Sequence, residues 1–205
     1  MLILCSNGLS SDKLIKSVVE HFNGQKTAAL VVTADNEYKE NNYHVNCCIV
    51  ELQSLGLSVD IFDIDVQDAK LLRNYDVVEF IGGNPFYLLN SIIKANAENV
   101  LREIGETKVL IGWSAAAFVF GLSLELVNMY SPEMNFLALT DLKGISLTDV
   151  EVLPHYNKFL NRFENFEEKC EEYEKRRNAN VVRINDGDGV IVSSQEIKII
   201  RKEQV

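Results

Sequence analysis

Residues 27–33 read TAALVVT, seven positions without a charge, and this run constrains the fold more than any other stretch of the chain. A strand that is apolar at every position is buried on both faces, the environment found inside a parallel sheet with helices above and below it. Related runs recur. Residues 2–5, 57–64, 76–81 and 109–112 read as further strands, and the segments between them carry apolar residues at helical spacing, as in Leu14, Ile15, Val18, Val19 and Phe22. Helices are expected over 38–55, stopping at Gly56, and over 85–95, opened by Gly82-Gly83-Asn84 with Pro85 in the first turn. Alternation of strand and helix through the first 120 residues predicts an α/β fold, a three-layer, doubly wound, mostly parallel sheet with right-handed crossovers. Its ligand crevice lies at the carboxyl ends of the strands.

Beyond Gly121 the pattern loosens. Residues 127–149 read as short strands and loops, 150–153 as a strand, and 159–177 as one charged amphipathic helix. Three closing strands are expected over 181–184, 190–192 and 197–201. With no linker or repeat in view, residues 1–205 are read as one domain.

Composition limits the partners. Acidic residues outnumber Lys and Arg by 30 to 20, and the basic residues form no stripe able to neutralise phosphates, so nucleic acid is not expected. No apolar run reaches the length of a membrane span and residues 1–5 lead into a structured element without a signal-peptide pattern. A soluble, cytoplasmic protein, monomer or homodimer, is the expectation. Cys5, Cys47, Cys48 and Cys170 contain no Cys-x-x-Cys pair and are read as packing residues, with no metal and no cofactor expected.

Chemistry is expected in three strand-end loops: Gly82-Gly83-Asn84, Gly112-Trp113-Ser114 and Pro154-His155-Tyr156. A serine directly after a buried strand, flanked by small residues and followed by a helix, has two uses. It is either a nucleophile held out on a sharp turn or the cap of the helix beginning near Ala115. A serine nucleophile needs a base. Of His21, His44 and His155, only His155 directly follows a predicted strand. The orienting acid has two candidates, Asp186 in the turn after 181–184 and Glu133 in the irregular 131–134 stretch. Asp186 is preferred because an orienting carboxylate must be fixed in place and Glu133 carries one more rotatable bond. Backbone amides are the expected oxyanion donors, one from Gly82-Gly83 and one from Ala115, with Gly82 and Asn84 beside the substrate. The Gly82-Gly83 pair also has a phosphate-cradle reading, but the chain lacks both Gly-x-Gly-x-x-Gly and a Gly-Lys-Ser/Thr ending.

Phe80-Ile81-Gly82-Gly83-Asn84-Pro85-Phe86, Gly112-Trp113-Ser114-Ala115-Ala116-Ala117 and Leu153-Pro154-His155-Tyr156, in this order, resemble the peptidase E family of serine peptidases, S51. The resemblance implies the class I glutamine amidotransferase-like α/β fold with a flavodoxin-like core. It also implies Ser114 as nucleophile, His155 as base, Gly83 and Ala115 as the oxyanion hole, and an acid at Glu133 or Asp186. The family pattern is Gly-Gly-Gly-Asn-Thr-Phe, Gly-x-Ser-Ala-Gly-Ala and Pro-His-Tyr or Pro-His-Phe. Ile81, Pro85 and Ala116 depart from it, and Glu133 stands where the family has Asp. The best-known members cleave dipeptides with N-terminal aspartate, using an arginine after the histidine motif; here Arg162, Arg176 and Arg177 are the arginines between His155 and Asn180. The expected activity is hydrolysis of short peptides by a serine peptidase, and the resemblance does not carry aspartyl specificity over to this chain. The competing expectation is a non-catalytic relative that binds a small ligand in the same crevice. A glutamine amidotransferase would need cysteine where Ser114 stands.

Overall fold

The computed structural model describes residues 1–203. Seven strands form the main sheet: Leu2–Cys5 (β1), Thr27–Val31 (β2), Ser58–Phe62 (β3), Val77–Phe80 (β4), Val109–Trp113 (β5), and, after the three-residue strand Glu151–Leu153 (β6) and Val181–Arg183 (β7), Gly189–Val192 (β8) and Ile197–Ile200 (β9). The order is β3-β2-β4-β5-β1-β8-β9, with the first five parallel and β8 and β9 antiparallel at the edge. β6 and β7 pair with each other as a separate parallel ribbon, so the strand expected over 181–184 lies outside the main sheet.

Strand periodicity builds the layers. In β2, Ala29 and Val31 face one core while Ala28 and Leu30 face the other, and β1, β4 and β5 divide their residues in the same way. One face is covered by Asp12–Val19 (α1) and Val45–Ser54 (α2), whose Leu14, Val18, Val45 and Leu52 are buried there. The other is covered by Pro85–Lys94 (α3), Glu98–Thr107 (α4), Ala115–Phe120 (α5), Glu125–Tyr130 (α6), and, beyond the short helix Tyr156–Leu160 (α7), by Phe166–Arg177 (α8). The three-layer, mostly parallel arrangement is therefore the one the apolar runs predict. The chain leaves β1 toward the α1 face and β5 toward the α5 face, and because β1 and β5 are neighbours, their carboxyl ends part to open a crevice.

Several expected boundaries are corrected. The helix expected over 38–55 begins only at Val45, behind a 3-10 turn at Lys39–Asn41. Asp35 takes the amides of Glu37 and Tyr38, and Asn42 takes that of His44; such local side-chain acceptors compete with helix formation. The first helix ends at Val19, short of Phe22. Helix α4 went unassigned in the sequence; it buries Val100, Leu101 and Ile104 along one narrow stripe. Residues 125–134 form α6 and a 3-10 turn instead of short strands, and the one pairing in the following stretch is a single bridge, Ser123 with Lys143. The helix expected over 159–177 is two, interrupted before Asn165, which adopts φ +51°. Cys5, Cys48 and Cys170 are buried, whereas Cys47 is exposed and packs nothing. No helix among the described residues is long and apolar enough to cross a membrane.

Candidate active site

Loops at the ends of β1, β4, β5, β6 and β7 reach the crevice. Ser114 follows β5 directly and takes φ +52°, ψ −109°, a backbone conformation that non-glycine residues rarely adopt. It precedes α5, yet its side chain makes no capping hydrogen bond. The hydroxyl instead lies 3.1 Å from His155 Nε2. This strained turn is compatible with the strand-end elbow and not with the capping use of serine.

His155 follows β6 in a left-handed conformation of its own, φ +56°. Its Nδ1 lies 2.6 Å from Asp186 Oδ1, which places an imidazole between Ser114 and a carboxylate. Asp186 also accepts from Ser6 Oγ at 2.8 Å and pairs through Oδ2 with Lys158. Partial burial pushes the Asp186 carboxyl up, but the bonds from His155, Lys158 and Ser6 outweigh it and hold the group well below the usual carboxylate range. Ser6 is fully buried at the end of β1 and uses the same oxygen to accept the His155 amide at 2.9 Å, so one hydroxyl ties both the histidine backbone and the carboxylate to the sheet.

Glu133 does not reach the imidazole. Its carboxylate accepts from Ser131 Oγ and lines the crevice wall.

Gly83 adopts φ +150°, and a Cβ there would come within 2.3 Å of the Ala34 carbonyl oxygen, so only glycine fits this turn. No acceptor among the described residues takes its amide, and the Ala115 amide, first in α5, has no partner within the helix. At Gly82 a Cβ would lie 2.6 Å from the Trp113 ring, so the glycine admits the indole. Asn84 spends its side chain on structure: Oδ1 caps α3 by accepting from Phe86 and Tyr87, and Nδ2 donates to the Met134 carbonyl. These bonds fix the turn against α3 and the Met134 segment, and the second Nδ2 proton has no acceptor among the described residues. Ile81 is buried in the core on the α2 face, and Ala116 is buried within α5. Of the three arginines, Arg176 and Arg177 pair with Glu125 away from the crevice, whereas Arg162 lines it.

The sequence reading missed Ser6, Lys158 and His44. Ser6 had a usable signal, since it follows β1 as directly as Ser114 follows β5. Lys158 lies one helical turn after His155, a spacing visible in the sequence once α7 is known to begin there. His44 lines the polar side of the crevice, edge-on to Trp113 at 5.4 Å, and nothing in its local sequence announces this.

Beneath Ser114 lies a buried acid. Glu79 in β4 accepts the Trp113 indole N–H at 3.1 Å. Burial, and then the Glu51 carboxylate, push Glu79 from an ordinary value of 4.5 up to about 8, against the opposing pull of the indole hydrogen bond. With the folded pKa raised, the folded protein keeps a proton that the unfolded chain releases, so stability is full below about pH 4.5 and falls as pH rises toward 8. Glu79→Gln keeps an acceptor for the indole and removes the titration. In urea melts the variant is expected to gain on the wild type by on the order of a few kcal/mol between pH 5 and pH 8.5. A difference that stays constant across that range contradicts the assignment; Glu51, also raised by burial, is present in both proteins, so the difference reads Glu79 together with its coupling to Glu51.

The chain matches the model of peptidase family S51 over residues 2–200. It is 31% identical over 137 residues to an uncharacterized peptidase of Listeria monocytogenes, an alignment covering 64% of this chain and 66% of that protein. It is 26% identical over 112 residues to a Peptidase E of Shewanella oneidensis, covering 54% of this chain and 46% of the relative. The matched part is thus just under two thirds of the Listeria protein and under half of the Shewanella one. A crystal structure from Listeria monocytogenes, assigned provisionally to peptidase E, superposes with a TM-score of 0.81 at 24% identity over 98% of both chains. A peptidase from an acI-B1 Actinobacterium gives a TM-score of 0.75 at 20% identity, covering 98% of this chain and 87% of the other. The two solved structures share the fold, and the match over nearly the whole length carries the assignment: the chain belongs to peptidase family S51.

Proposed function

We propose that the protein is a serine peptidase that hydrolyses short peptides through an acyl-enzyme, with Ser114 as nucleophile, His155 as general base and Asp186 as the orienting acid. The observation that carries this reading is the continuous hydrogen-bonded line Ser114 Oγ, His155 Nε2, His155 Nδ1, Asp186 Oδ1 across a serine whose strained turn serves no capping purpose.

With its Nδ1 proton donated to Asp186, the imidazole presents Nε2 as acceptor to Ser114. Attack of Oγ on the scissile carbonyl transfers the hydroxyl proton to Nε2, and Asp186 stabilises the imidazolium. The tetrahedral oxyanion is held by the otherwise unpartnered amides of Gly83 and Ala115. Collapse passes the proton from Nε2 to the leaving amine and leaves an ester on Ser114; water, deprotonated by the same nitrogen, then releases the acid and restores the serine. A cytoplasmic setting is proposed with it, since a reducing compartment suits four free cysteines.

A fluorophosphonate probe tests the reading directly, because it labels only an activated serine. Wild type is expected to gain one label on Ser114, and Ser114→Ala none. Native protein left unlabelled beside a reacting serine hydrolase would sink the peptidase reading and favour a non-catalytic binder.

A further inference from the structure

The crevice has two recesses that share Gly83, Ser114 and His155. One, of about 340 Å³, runs along the imidazole past Lys158 and Asp186 and is lined by Asn7, Asn42 and His44. The other, of about 430 Å³, lies beyond Ala115 and Pro85. His155 lines both recesses and does not tell them apart, but Ala115, whose amide takes the carbonyl oxygen of the attacked residue, lines only the second. The acyl portion is then directed into the second, next to the Ala115 amide.

That second recess is an aromatic chamber. Phe118, Val127, Tyr130, Phe159 and Phe163 form its walls, and Tyr130 packs against Phe159 and Phe163 with centroids 5.6 Å and 4.9 Å apart. Two charged side chains line it, Glu133 and Arg162, and their charges oppose. The Arg162 guanidinium lies 5.2 Å from the Phe163 ring centroid and makes no ion pair among the described residues. An acidic side chain entering here would be drawn to Arg162, repelled by Glu133, and stripped of water against the apolar walls, with Arg162 the one guanidinium among the lining residues to offset that cost. A large apolar side chain exchanges water for those walls at no such cost.

We propose that this chamber selects a large apolar, preferentially aromatic, side chain on the residue whose carbonyl Ser114 attacks, so that the substrates are short peptides with such a residue on the acyl side of the scissile bond. This rests on the peptidase reading for its chemistry but not for its binding, and the test separates the two. Ser114→Ala lacks the nucleophile and keeps the chamber. By calorimetry it is expected to bind Phe-Ala at least about tenfold more tightly than Asp-Ala or Ala-Ala, the order of discrimination a hydrophobic pocket supplies. Wild-type kcat/KM on the same dipeptides is expected to follow the same order. Met134→Trp, at the half-exposed lip, should plug the chamber and remove the advantage of Phe-Ala over Ala-Ala. A wild type that cleaves nothing, beside a Ser114→Ala variant that still prefers Phe-Ala, overturns the peptidase reading and supports the pocket. Tighter binding of Asp-Ala, equal binding of all three, or no binding of any overturns the pocket, whatever the wild type cleaves.

Discussion

Ser114→Ala and His155→Ala are each expected to lower kcat by about 10⁴ to 10⁶, and the double variant by scarcely more than either single one. On the proposed mechanism the two groups act as a unit: without the imidazole the hydroxyl is a poor nucleophile, and without the hydroxyl the imidazole has nothing to activate. Melting temperatures should move little. Both side chains are only half-buried at strand ends, and neither belongs to the two apolar cores. Ser114→Gly provides the control for strain. It loses activity equally but should melt at or above the wild type, because glycine tolerates the φ of +52° that serine holds at a cost of about 1–3 kcal/mol. Kinetics on one peptide substrate and thermal melts of all four variants decide the matter. Two single losses that multiply in the double variant would mean that Ser114 and His155 contribute independently and would end the shared-proton account.

Asp186→Asn is expected to reduce kcat by on the order of 10⁴, because an amide in place of the carboxylate can hold the imidazole in the wrong tautomer and leaves the imidazolium unstabilised. Glu133→Gln should cost about tenfold or less, since Glu133 bonds Ser131, while the imidazole nitrogens bond Asp186 and Ser114. The sequence preferred Asp186 because of its firmer backbone, and the geometry supports that preference for a further reason: three donors, His155, Lys158 and Ser6, converge on this carboxylate. Measuring kcat for both variants on one substrate tests the ranking. A larger loss at Glu133 would transfer the orienting role to it and leave Asp186 as the partner of Lys158 and Ser6.

What was legible locally follows from patterns that repeat along the chain. The parallel sheet could be read from residues 27–33 and the runs related to them, because a strand buried on both faces admits no charge and this requirement is written in consecutive residues. Gly83 was legible for the same reason, as a backbone constraint recorded in residue type. Helix 38–55 and helix 159–177 were misjudged because their ends depend on side chains that capture single amides or on one residue entering the left-handed region, effects smaller than the periodicity that surrounds them.

The sequence by itself determined the layered fold, the strand ends at which Ser114 and His155 stand, and the choice of glycine where the backbone turns sharply, since each is a local demand of burial or of φ and ψ. Only the tertiary structure decided which carboxylate meets the imidazole, that Ser6 ties it down from 180 residues away, and that Phe118, Tyr130, Phe159 and Phe163 close around one chamber. The physical reason is that hydrogen bonds and packing act over a few ångströms in space whatever the separation along the chain, and the pairing of β1 with β5 and of β6 with β7 is what brings those distant residues within that range.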